Sequence, residues 1–413
     1  MAPEAEKGSS SYDGTLTHAW FLEPSPGTHH EVLTKAGLEN IANHKYVPGA
    51  YTHLDNLLNP IWTKLTSLLP MWLAPNAVTT LGGMCCGASY YFLWTHSPNF
   101  DQNVPDWVVL LSGLSTIAYY TLDCMDGKQA RRTGASSPLG QLFDHGFDCI
   151  CNMAHCAGVG GYTMIGGTKW FMILQGSLQF SFFMAQWEEY YTHILPHSTG
   201  DWLGVTEVNY GLALVAIVMS FIDREAFWIR TVSAVLPAPL ADLLPPSVVD
   251  LELRYAAIAG WVILVLVMCL LSLRRVFRFV DSNAVRFSAA SKLLSPAVVG
   301  LAPFLLPSQY IADNTRYISV AGGLLFSTIT KKMIVFSMAK MTYASIQMDI
   351  LPFVAICVWI RSDPNLTKRG AIAIMGVMCI LHAIRLVFWA RRAINDICKR
   401  LGIWCLRIKP KEA

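Results

Sequence analysis

The stretch "TLDCMDGKQARRTGASSPLGQLFDHGFDC", residues 121–149, lies between two long apolar runs and carries four aspartates. Each flanking run has about the length that a helix needs to cross the hydrocarbon of a bilayer. An ionisable side chain at the edge of a bilayer is costly and usually marks a functional site. We therefore expect the stretch to join the ends of two membrane helices and to hold a chemically active site.

The composition is typical of a chain that lies mostly inside a membrane. Hydrophobic residues make up 53% of the 413 residues and charged residues only 14%, compared with about 25% in a soluble domain. The predicted fold class is an all-α polytopic membrane protein with about ten transmembrane helices. The predicted spans are 75–94, 107–122, 148–166, 170–186, 208–222, 255–273, 293–310, 317–337, 350–361 and 370–390.

The remaining segments divide the chain further. Pro60 and Pro70 interrupt the apolar segment 55–74, which favours an interfacial amphipathic helix on the membrane surface over a span. A soluble helix packed on the protein is the alternative. No apolar run near the N-terminus indicates a cleaved secretory signal. The predicted regions are 1–54, a polar and partly disordered cytosolic N-terminus; 55–74, the interfacial helix; 75–222, the helices around the aspartates; 223–390, the C-terminal transmembrane helices; and 391–413, a basic cytosolic tail.

Lysine and arginine are concentrated after the even-numbered spans. The connection after the second span carries Lys128, Arg131 and Arg132, and the tail after the tenth span is also basic. Because cytoplasmic connections are enriched in these residues, we predict that these exits and both termini are cytosolic. The connection after the fourth span has neither residue type, and the one after the ninth has three of them, so these two connections do not support the assignment.

The four aspartates form two pairs with helical spacing. Asp123 and Asp126 are three residues apart, and Asp144 and Asp148 are four apart, so each pair lies on one helix face. Four carboxylates that converge in a site of low dielectric constant cannot all stay ionised unaided. Mg²⁺ or Mn²⁺ compensates them through oxygen ligands, and two such ions can hold the oxygens of a phosphoryl group in transfer. A single aspartate would instead be read as a helix cap or a solvated charge.

Other residues of the stretch suit a phosphate ester. Gly127 lets the backbone approach a phosphate closely, and Arg131 offers a planar fork of donors. The full pattern, D-x2-D-G-x2-A-R-x8-G-x3-D-x3-D from Asp123 to Asp148, resembles the signature of the CDP-alcohol phosphotransferase family without a departure. The strings "DGKQARRT" and "FDHG", with "WLAPNAVTTLG" (72–82) and "GVTEV" (204–208), resemble the eukaryotic cholinephosphotransferase and ethanolaminephosphotransferase branch. The resemblance is strong over residues 70–150 and loose in the C-terminal third.

The resemblance implies a role for each matching position. The four aspartates would bind two divalent ions, Mg²⁺ or Mn²⁺, that hold the pyrophosphate of a CDP-linked alcohol. Asn76 and Thr79 would contact the cytidine, whereas the alternative for Asn76 is a helix N-cap after Pro75. The positions that would shape the CDP pocket or touch the nucleotide are Gly127, Lys128, Gln129, Ala130, Arg131 and Gly140.

The implied reaction is an attack by the sn-3 hydroxyl of diacylglycerol on the β-phosphorus, with CMP as the leaving group. His145 is the candidate base, because an imidazole titrates near neutral pH. Glu207, in "GVTEV", is the candidate residue that orients the imidazole. The alternatives are a His145 that only hydrogen-bonds a phosphate or an aspartate, and a Glu207 that is a solvated residue at a helix start.

The resemblance also implies partners and a location. The expected substrates are CDP-choline or CDP-ethanolamine and diacylglycerol, with membrane lipids around the protein, no nucleic acid partner, and a homodimer as the family expectation. Region 75–222 would be catalytic, and 223–390 would form the lipid site and dimer contacts. Lys409 and Lys411 resemble a dilysine retrieval signal, so we expect the endoplasmic reticulum, or the Golgi, with the site facing the cytosol.

Three alternatives stay open from the sequence. The donor or acceptor could be a different alcohol, although "FDHG" and the ten-span length argue against it. A cation transporter could also use clustered carboxylates, but its acids would lie deeper within the spans. Trp187, Tyr190 and Tyr191 are either an aromatic site for a quaternary ammonium or ordinary interface residues, so the sequence does not distinguish choline from ethanolamine.

Overall fold

The computed structural model describes residues 32–410, which form a bundle of α-helices without a β-strand. The predicted disorder of residues 1–31 and the predicted role of Lys411 lie outside the described residues. The helices are, in chain order, α1 (Lys35–Ala42), α2 (His53–Leu68), α3 (Pro75–His96), α4 (Asp106–Thr133), α5 (Pro138–Thr163), α6 (Lys169–Thr192), α7 (Val205–Met219), α8 (Arg224–Trp228), α9 (Ala238–Ala241), α10 (Pro246–Val249), α11 (Leu253–Phe279), α12 (Asn283–Ser291), α13 (Leu294–Leu301), α14 (Ser308–Ala339), α15 (Ile350–Ser362) and α16 (Lys368–Leu401).

The structure confirms the predicted all-helical polytopic membrane class, and the number of about ten membrane helices stays a prediction. Within residues 32–410, five segments are long and apolar enough to cross a membrane, and α7 and α15 are shorter apolar helices. Nine of the ten predicted spans each overlap one helix, although 148–166 and 208–222 continue three residues past Thr163 and Met219. The seventh, 293–310, is divided between α13, a 3₁₀ turn at Ala302–Leu305 and the start of α14, because Pro303 and Pro307 interrupt the helix there. The five segments are Asp106–Thr133, Leu253–Phe279, Asn283–Leu305, Ser308–Ala339 and Lys368–Leu401.

The second span is longer than predicted, and this difference positions the aspartates. The prediction ends at residue 122, but α4 continues to Thr133 and stops at Gly134, whose φ of +66° is a conformation that favours glycine. Only four residues, 134–137, connect α4 to α5, which begins with Pro138 at its first position. The short connection makes the two helices neighbours, so both aspartate pairs lie on helices whose ends meet.

Close helix packing surrounds this pair. Helix α3 packs on both α4 and α5, and α7 packs on the outer side of α4. Gly113 on α4 makes the second contact possible, because a Cβ atom there would lie 2.8 Å from the carbonyl oxygen of Ala213 on α7. Helix α11 packs instead on α6, and α14 packs on α5, α6 and α16. The first half of the chain therefore surrounds the aspartates, and α14 supports α5 and α6 from behind.

Helix α2 has the two faces that the predicted interfacial helix needs. Trp62 is buried and donates a hydrogen bond to the Tyr210 hydroxyl at 3.1 Å. Four apolar side chains on the other face are exposed: Leu57, Ile61, Leu65 and Leu68. One exposed apolar stripe opposite a packed face suits a helix that lies along a membrane surface. The helix ends at Leu68, before the predicted limit of 74.

The described part of the predicted polar N-terminus is packed on the bundle. Helix α1 contacts α14 and α16, with Leu33 and Ile41 buried in that contact. The Asn40 side chain donates to the carbonyl oxygen of Ala339 at 2.9 Å. Two apolar positions in a polar segment are a weak signal, which explains why the sequence pattern gave no indication of this docking. The predicted tail also differs, because residues 391–401 continue α16.

Candidate active site

A cavity of about 570 Å³ lies at the meeting point of α4 and α5. Helices α2, α6, α7 and α11 and the loop between α6 and α7 complete its walls. The structure brings most of the predicted site residues together here, because the α4–α5 connection is short. The predicted residues that line the cavity are Asp123, Asp126, Gly127, Lys128, Arg131, Asp144, His145 and Asp148.

Three of the aspartates form a compact oxygen cluster. Asp123, Asp126 and Asp144 each offer a carboxylate oxygen that lies within 4.8 Å of the others. The Oδ1 atoms of Asp123 and Asp144 are buried and have no hydrogen-bond partner among the residues that the structure describes. Like charges this close, with buried oxygens left unsatisfied, are expensive unless a cation compensates them. Hard oxygen donors of this kind match divalent cations such as Mg²⁺ and Mn²⁺, so the residues present fit the implied metal.

Hydroxyl groups hold two of the four carboxylates in place. Thr79 on α3 donates a hydrogen bond to Oδ2 of Asp126, and Tyr119 on α4 donates to Oδ1 of Asp148. Asp148 lies outside the compact trio and also faces the cavity. Each hydroxyl restricts one carboxylate to one orientation, which leaves its second oxygen available. Thr79 is thus next to the aspartates and does not line the cavity itself.

His145 lies beside this cluster. Its Nε2 atom is 3.7 Å from Oδ2 of Asp144, and its buried Nδ1 atom has no hydrogen-bond partner in the described part of the chain. The predicted partner Glu207 is elsewhere: its carboxylate accepts a hydrogen bond from the Gly204 N–H at 2.8 Å, at the start of α7, and it does not line the cavity. The observed position matches the helix-start alternative, because an acidic side chain at N3 satisfies a free N–H group.

Several residues expected around the nucleotide also point away from the cavity. The Asn76 side chain donates to the carbonyl oxygen of Cys405 at 2.9 Å. The N-cap of α3 is Ala74, so Asn76 is not the N-cap either. Gln129 donates to the carbonyl oxygens of Pro70 and Leu73 at 2.9 and 3.0 Å and holds the end of α2 against α4. The predicted residues outside the cavity lining are Asn76, Thr79, Gln129, Ala130, Gly140 and Glu207.

The sequence pattern missed part of the cavity wall. Tyr46 and Tyr51, between α1 and α2, and His197, between α6 and α7, all line the cavity. The Tyr46 hydroxyl lies 2.7 Å from Nε2 of His197, although the two residues are 151 positions apart. Burial lowers the pKa of His197, and the nearby Asp55 carboxylate partly opposes that shift. No short-range spacing links these residues, so only long-range packing could identify them.

The interpretation of Trp187, Tyr190 and Tyr191 as an aromatic site for a quaternary ammonium is wrong. Trp187, Tyr190 and Tyr191 are fully buried in the core and do not line the cavity. The Trp187 indole donates to the carbonyl oxygen of Ala289 at 2.9 Å, and Tyr190 donates to that of Met341 at 3.1 Å. They lie on the faces of α6 that pack inward against later helices. The spacing of residues along the sequence does not distinguish such a face from one that lines a cavity.

The cavity has an apolar side that faces α7 and α11. Leu212 on α7, Met268 on α11 and Phe182 on α6 line this part. Arg275 and Glu188 lie at its polar boundary and form an ion pair, with 2.5 Å between Arg275 Nε and Glu188 Oε1. The cavity thus joins a carboxylate cluster to a hydrocarbon-like surface. Such a combination suits a reaction between a charged molecule and a lipid.

Comparisons with known proteins identify relatives of the whole chain. A family model described as CDP-alcohol phosphatidyltransferase matches residues 72–241. Choline/ethanolaminephosphotransferase 1 of Arabidopsis thaliana is 30% identical over 91% of this chain and 98% of its own length. Cholinephosphotransferase 1 of Saccharomyces cerevisiae is 29% identical over 92% and 99%, respectively. Cholinephosphotransferase 1 of Homo sapiens is 33% identical over 46% of this chain and 47% of its own.

Proposed function

The chain belongs to the CDP-alcohol phosphatidyltransferase family, and from that premise we propose that it transfers phosphocholine or phosphoethanolamine to diacylglycerol. The phosphorus–oxygen bond to CMP breaks, a bond to the sn-3 oxygen of the lipid forms, and the hydroxyl proton is taken up by a base. The products are CMP and phosphatidylcholine or phosphatidylethanolamine. The observation that carries the proposal is the cluster of Asp123, Asp126 and Asp144, with its unsatisfied oxygens, in one cavity with an apolar wall.

The aspartates are the groups that would hold the metal. Asp123, Asp126, Asp144 and Asp148 would bind two divalent ions, Mg²⁺ or Mn²⁺. When bound, such ions neutralise charge on the pyrophosphate and on the leaving group. The hydroxyl of Thr79 keeps the Asp126 carboxylate in its orientation, and aspartates held in this way need little rearrangement when the ions bind.

The end of α4 would hold the nucleotide part. Lys128 and Arg131 line the cavity on the last turns of this helix. An arginine fork can bind a phosphate or stack on a base, and a lysine adds a point charge. Lys128 also donates to the Asn59 side chain, which holds α2 over this wall of the cavity. These two side chains would place the CMP portion on the α4 side of the carboxylates.

His145 is the proposed base. It is buried next to Asp144, and its Nδ1 atom has no hydrogen-bond partner within residues 32–410, so a ring nitrogen is available to take the lipid proton. General bases contribute typically about 10²–10⁴ in rate. The lipid hydroxyl would arrive along the apolar wall formed by α6, α7 and α11, because a diacylglycerol that is already in the bilayer can reach this wall without entering water.

We place the protein, on the same proposal, in the endoplasmic reticulum or the Golgi with the cavity towards the cytosol. The support is the basic residues at the end of α4 and in the C-terminal tail, which are typical of cytosolic segments.

A homodimer is part of the proposal. Exposed apolar residues on α16, such as Val377, Ile380 and Ile384, offer a surface for lipid or for a second copy.

The test is CMP release by the purified chain in detergent with diacylglycerol, Mg²⁺ or Mn²⁺, and either CDP-choline or CDP-ethanolamine. We expect metal-dependent turnover that His145→Ala reduces strongly and a chelator abolishes. Binding of CDP without turnover with either donor would point to another acceptor alcohol. A protein that binds no CDP in the presence of either metal would contradict the proposal.

A further inference from the structure

One wall of the cavity is built from residues that precede the region matched by the family model. Tyr46 and Tyr51 lie between α1 and α2, and both line the cavity. The Tyr51 ring is parallel to the His197 imidazole, with 9° between the planes and 6.2 Å between centroids. The Tyr46 ring lies edge-on to His145, with centroids 6.0 Å apart. These rings form an aromatic wall beside the proposed base.

This wall remains accessible, unlike the aromatic core. Tyr46 is 40% exposed and Tyr51 is 58% exposed, whereas Trp187, Tyr190 and Tyr191 are fully buried. The Tyr46 hydroxyl is held by Nε2 of His197 at 2.7 Å, which fixes the orientation of the ring. A phenol is neutral at physiological pH, so both rings are uncharged. The faces of neutral aromatic rings attract a cation through their π electrons.

Basic side chains lie on other walls. Among the described residues that line the cavity, the lysine and arginine side chains are Lys128 and Arg131 on α4 and Arg275 on α11. None of them comes from the segment that carries the tyrosines. In a CDP-alcohol the nucleoside and the ammonium alcohol are attached to opposite ends of the pyrophosphate. With the phosphates at the aspartates and the nucleoside at α4, the alcohol would extend towards His145 and the tyrosines.

We infer that Tyr46 and Tyr51 form the headgroup site and that this site favours the trimethylated ammonium of choline over the primary ammonium of ethanolamine. This inference rests on the proposed function. A trimethylated ammonium has no N–H donors and is weakly hydrated, so aromatic faces satisfy it. A primary ammonium carries three donors and needs oxygen acceptors that two ring faces do not supply.

The experiment measures the affinity of the full chain in detergent, with Mg²⁺, for CDP-choline, CDP-ethanolamine and CMP by calorimetry. Tyr46→Leu and Tyr51→Leu remove a ring, and Tyr51→Phe keeps it. Tyr91→Leu is the matched control, because Tyr91 is 56% exposed on α3 and does not line the cavity. We expect each cavity Leu variant to bind CDP-choline about tenfold more weakly, which is about 1.4 kcal/mol. CMP affinity should be unchanged, CDP-ethanolamine affinity should change less, and Tyr51→Phe and Tyr91→Leu should resemble the wild type.

The outcomes separate this inference from the proposed function. If the Leu variants bind CDP-choline as tightly as the wild type, or lose CMP affinity equally, the headgroup site is elsewhere and the proposed function stands. If the Leu variants do not fold, the test is the ratio of the wild-type affinities for CDP-choline and CDP-ethanolamine. Equal affinities would overturn the preference for choline. If the wild type binds neither donor nor CMP, both the inference and the proposed function fail.

Discussion

Two groups of largely buried charged side chains in this protein differ in whether opposite charges within the chain compensate them. Asp123, Asp126 and Asp144 bring three acids together, and two of their oxygens have no hydrogen-bond partner among the described residues. Asp349, before α15, lies between two bases instead. Its Oδ2 atom is 2.7 Å from Nζ of Lys332 on α14, and its Oδ1 atom is 3.0 Å from Nε of Arg385 on α16.

The difference separates a site that binds from a contact that holds helices together. The Asp349 group is compensated within the chain, and it connects α14, α15 and α16. The aspartate cluster is not compensated within the chain. Such an unfavourable arrangement is retained where a bound ion or ligand stabilises it. Buried charge alone therefore does not indicate function. The net charge of the group and the presence of unsatisfied polar atoms are what indicate a binding site.

The largest expected effect comes from removing a charge from the uncompensated cluster. Asp144→Asn should reduce the rate of CMP release by at least about a thousandfold, because it weakens the site that binds the charged phosphates. Without metal, its melting temperature should equal or exceed that of the wild type, since one like charge is gone. Release assays and thermal melts in a chelator measure both. A variant that melts well below the wild type without metal would show that the cluster is structural.

The compensated group should respond in the opposite way. Asp349→Asn removes the charged acceptor that Lys332 and Arg385 share and should lower the free energy of unfolding by about 1.5–3 kcal/mol, the contribution of a hydrogen bond to a charged group. Its stabilisation by added Mg²⁺ should remain. Asp313→Asn is the matched control, because Asp313 is exposed and its 3.6 Å pair with Lys368 lies at the surface, where such a pair contributes about 0–1 kcal/mol. Equal melting temperatures for the two variants would contradict the comparison.

A smaller effect is expected at a residue that hydrogen-bonds the cluster but does not line the cavity. Thr79→Val removes the hydroxyl that orients Asp126 while it keeps the side-chain shape. We expect activity at limiting metal to fall about tenfold, since a hydrogen bond to a charged group contributes about 1.5–3 kcal/mol, and to recover as metal is added. Thr80→Val is the control, because the Thr80 hydroxyl donates only to the carbonyl oxygen of Asn76 in its own helix, at 2.7 Å. A loss that extra metal does not reverse would rule out this role.

The smallest effect is expected at Glu207. Glu207→Gln can still accept the Gly204 N–H bond, so stability should change by less than about 1 kcal/mol and kcat/KM by less than about twofold. The measurement is a steady-state assay together with a thermal melt. A loss of activity close to that of His145→Ala would restore Glu207 as the residue that orients the imidazole.

Much of this protein was predictable because its signals are local. Apolar length predicts the membrane helices, and spacings of three and four place each aspartate pair on one helix face. Boundaries were less predictable: α4 runs to Thr133 because the helix-forming residues 128–132, "KQARR", outweigh the unfavourable Gly127. Asn76 and Glu207 were read from their neighbours in sequence, whereas distant or terminal backbone groups bind them in the fold.

The sequence by itself determined an all-helical membrane chain with two pairs of carboxylates at the junction of two helices, because helical periodicity operates over a few residues. The tertiary structure decided which partners close the cavity. Tyr46 and His197 meet across 151 positions, and Trp187 turns into the core. Such contacts depend on how whole helices pack, and the spacing of residues within one helix carries no information about which neighbour its face will meet.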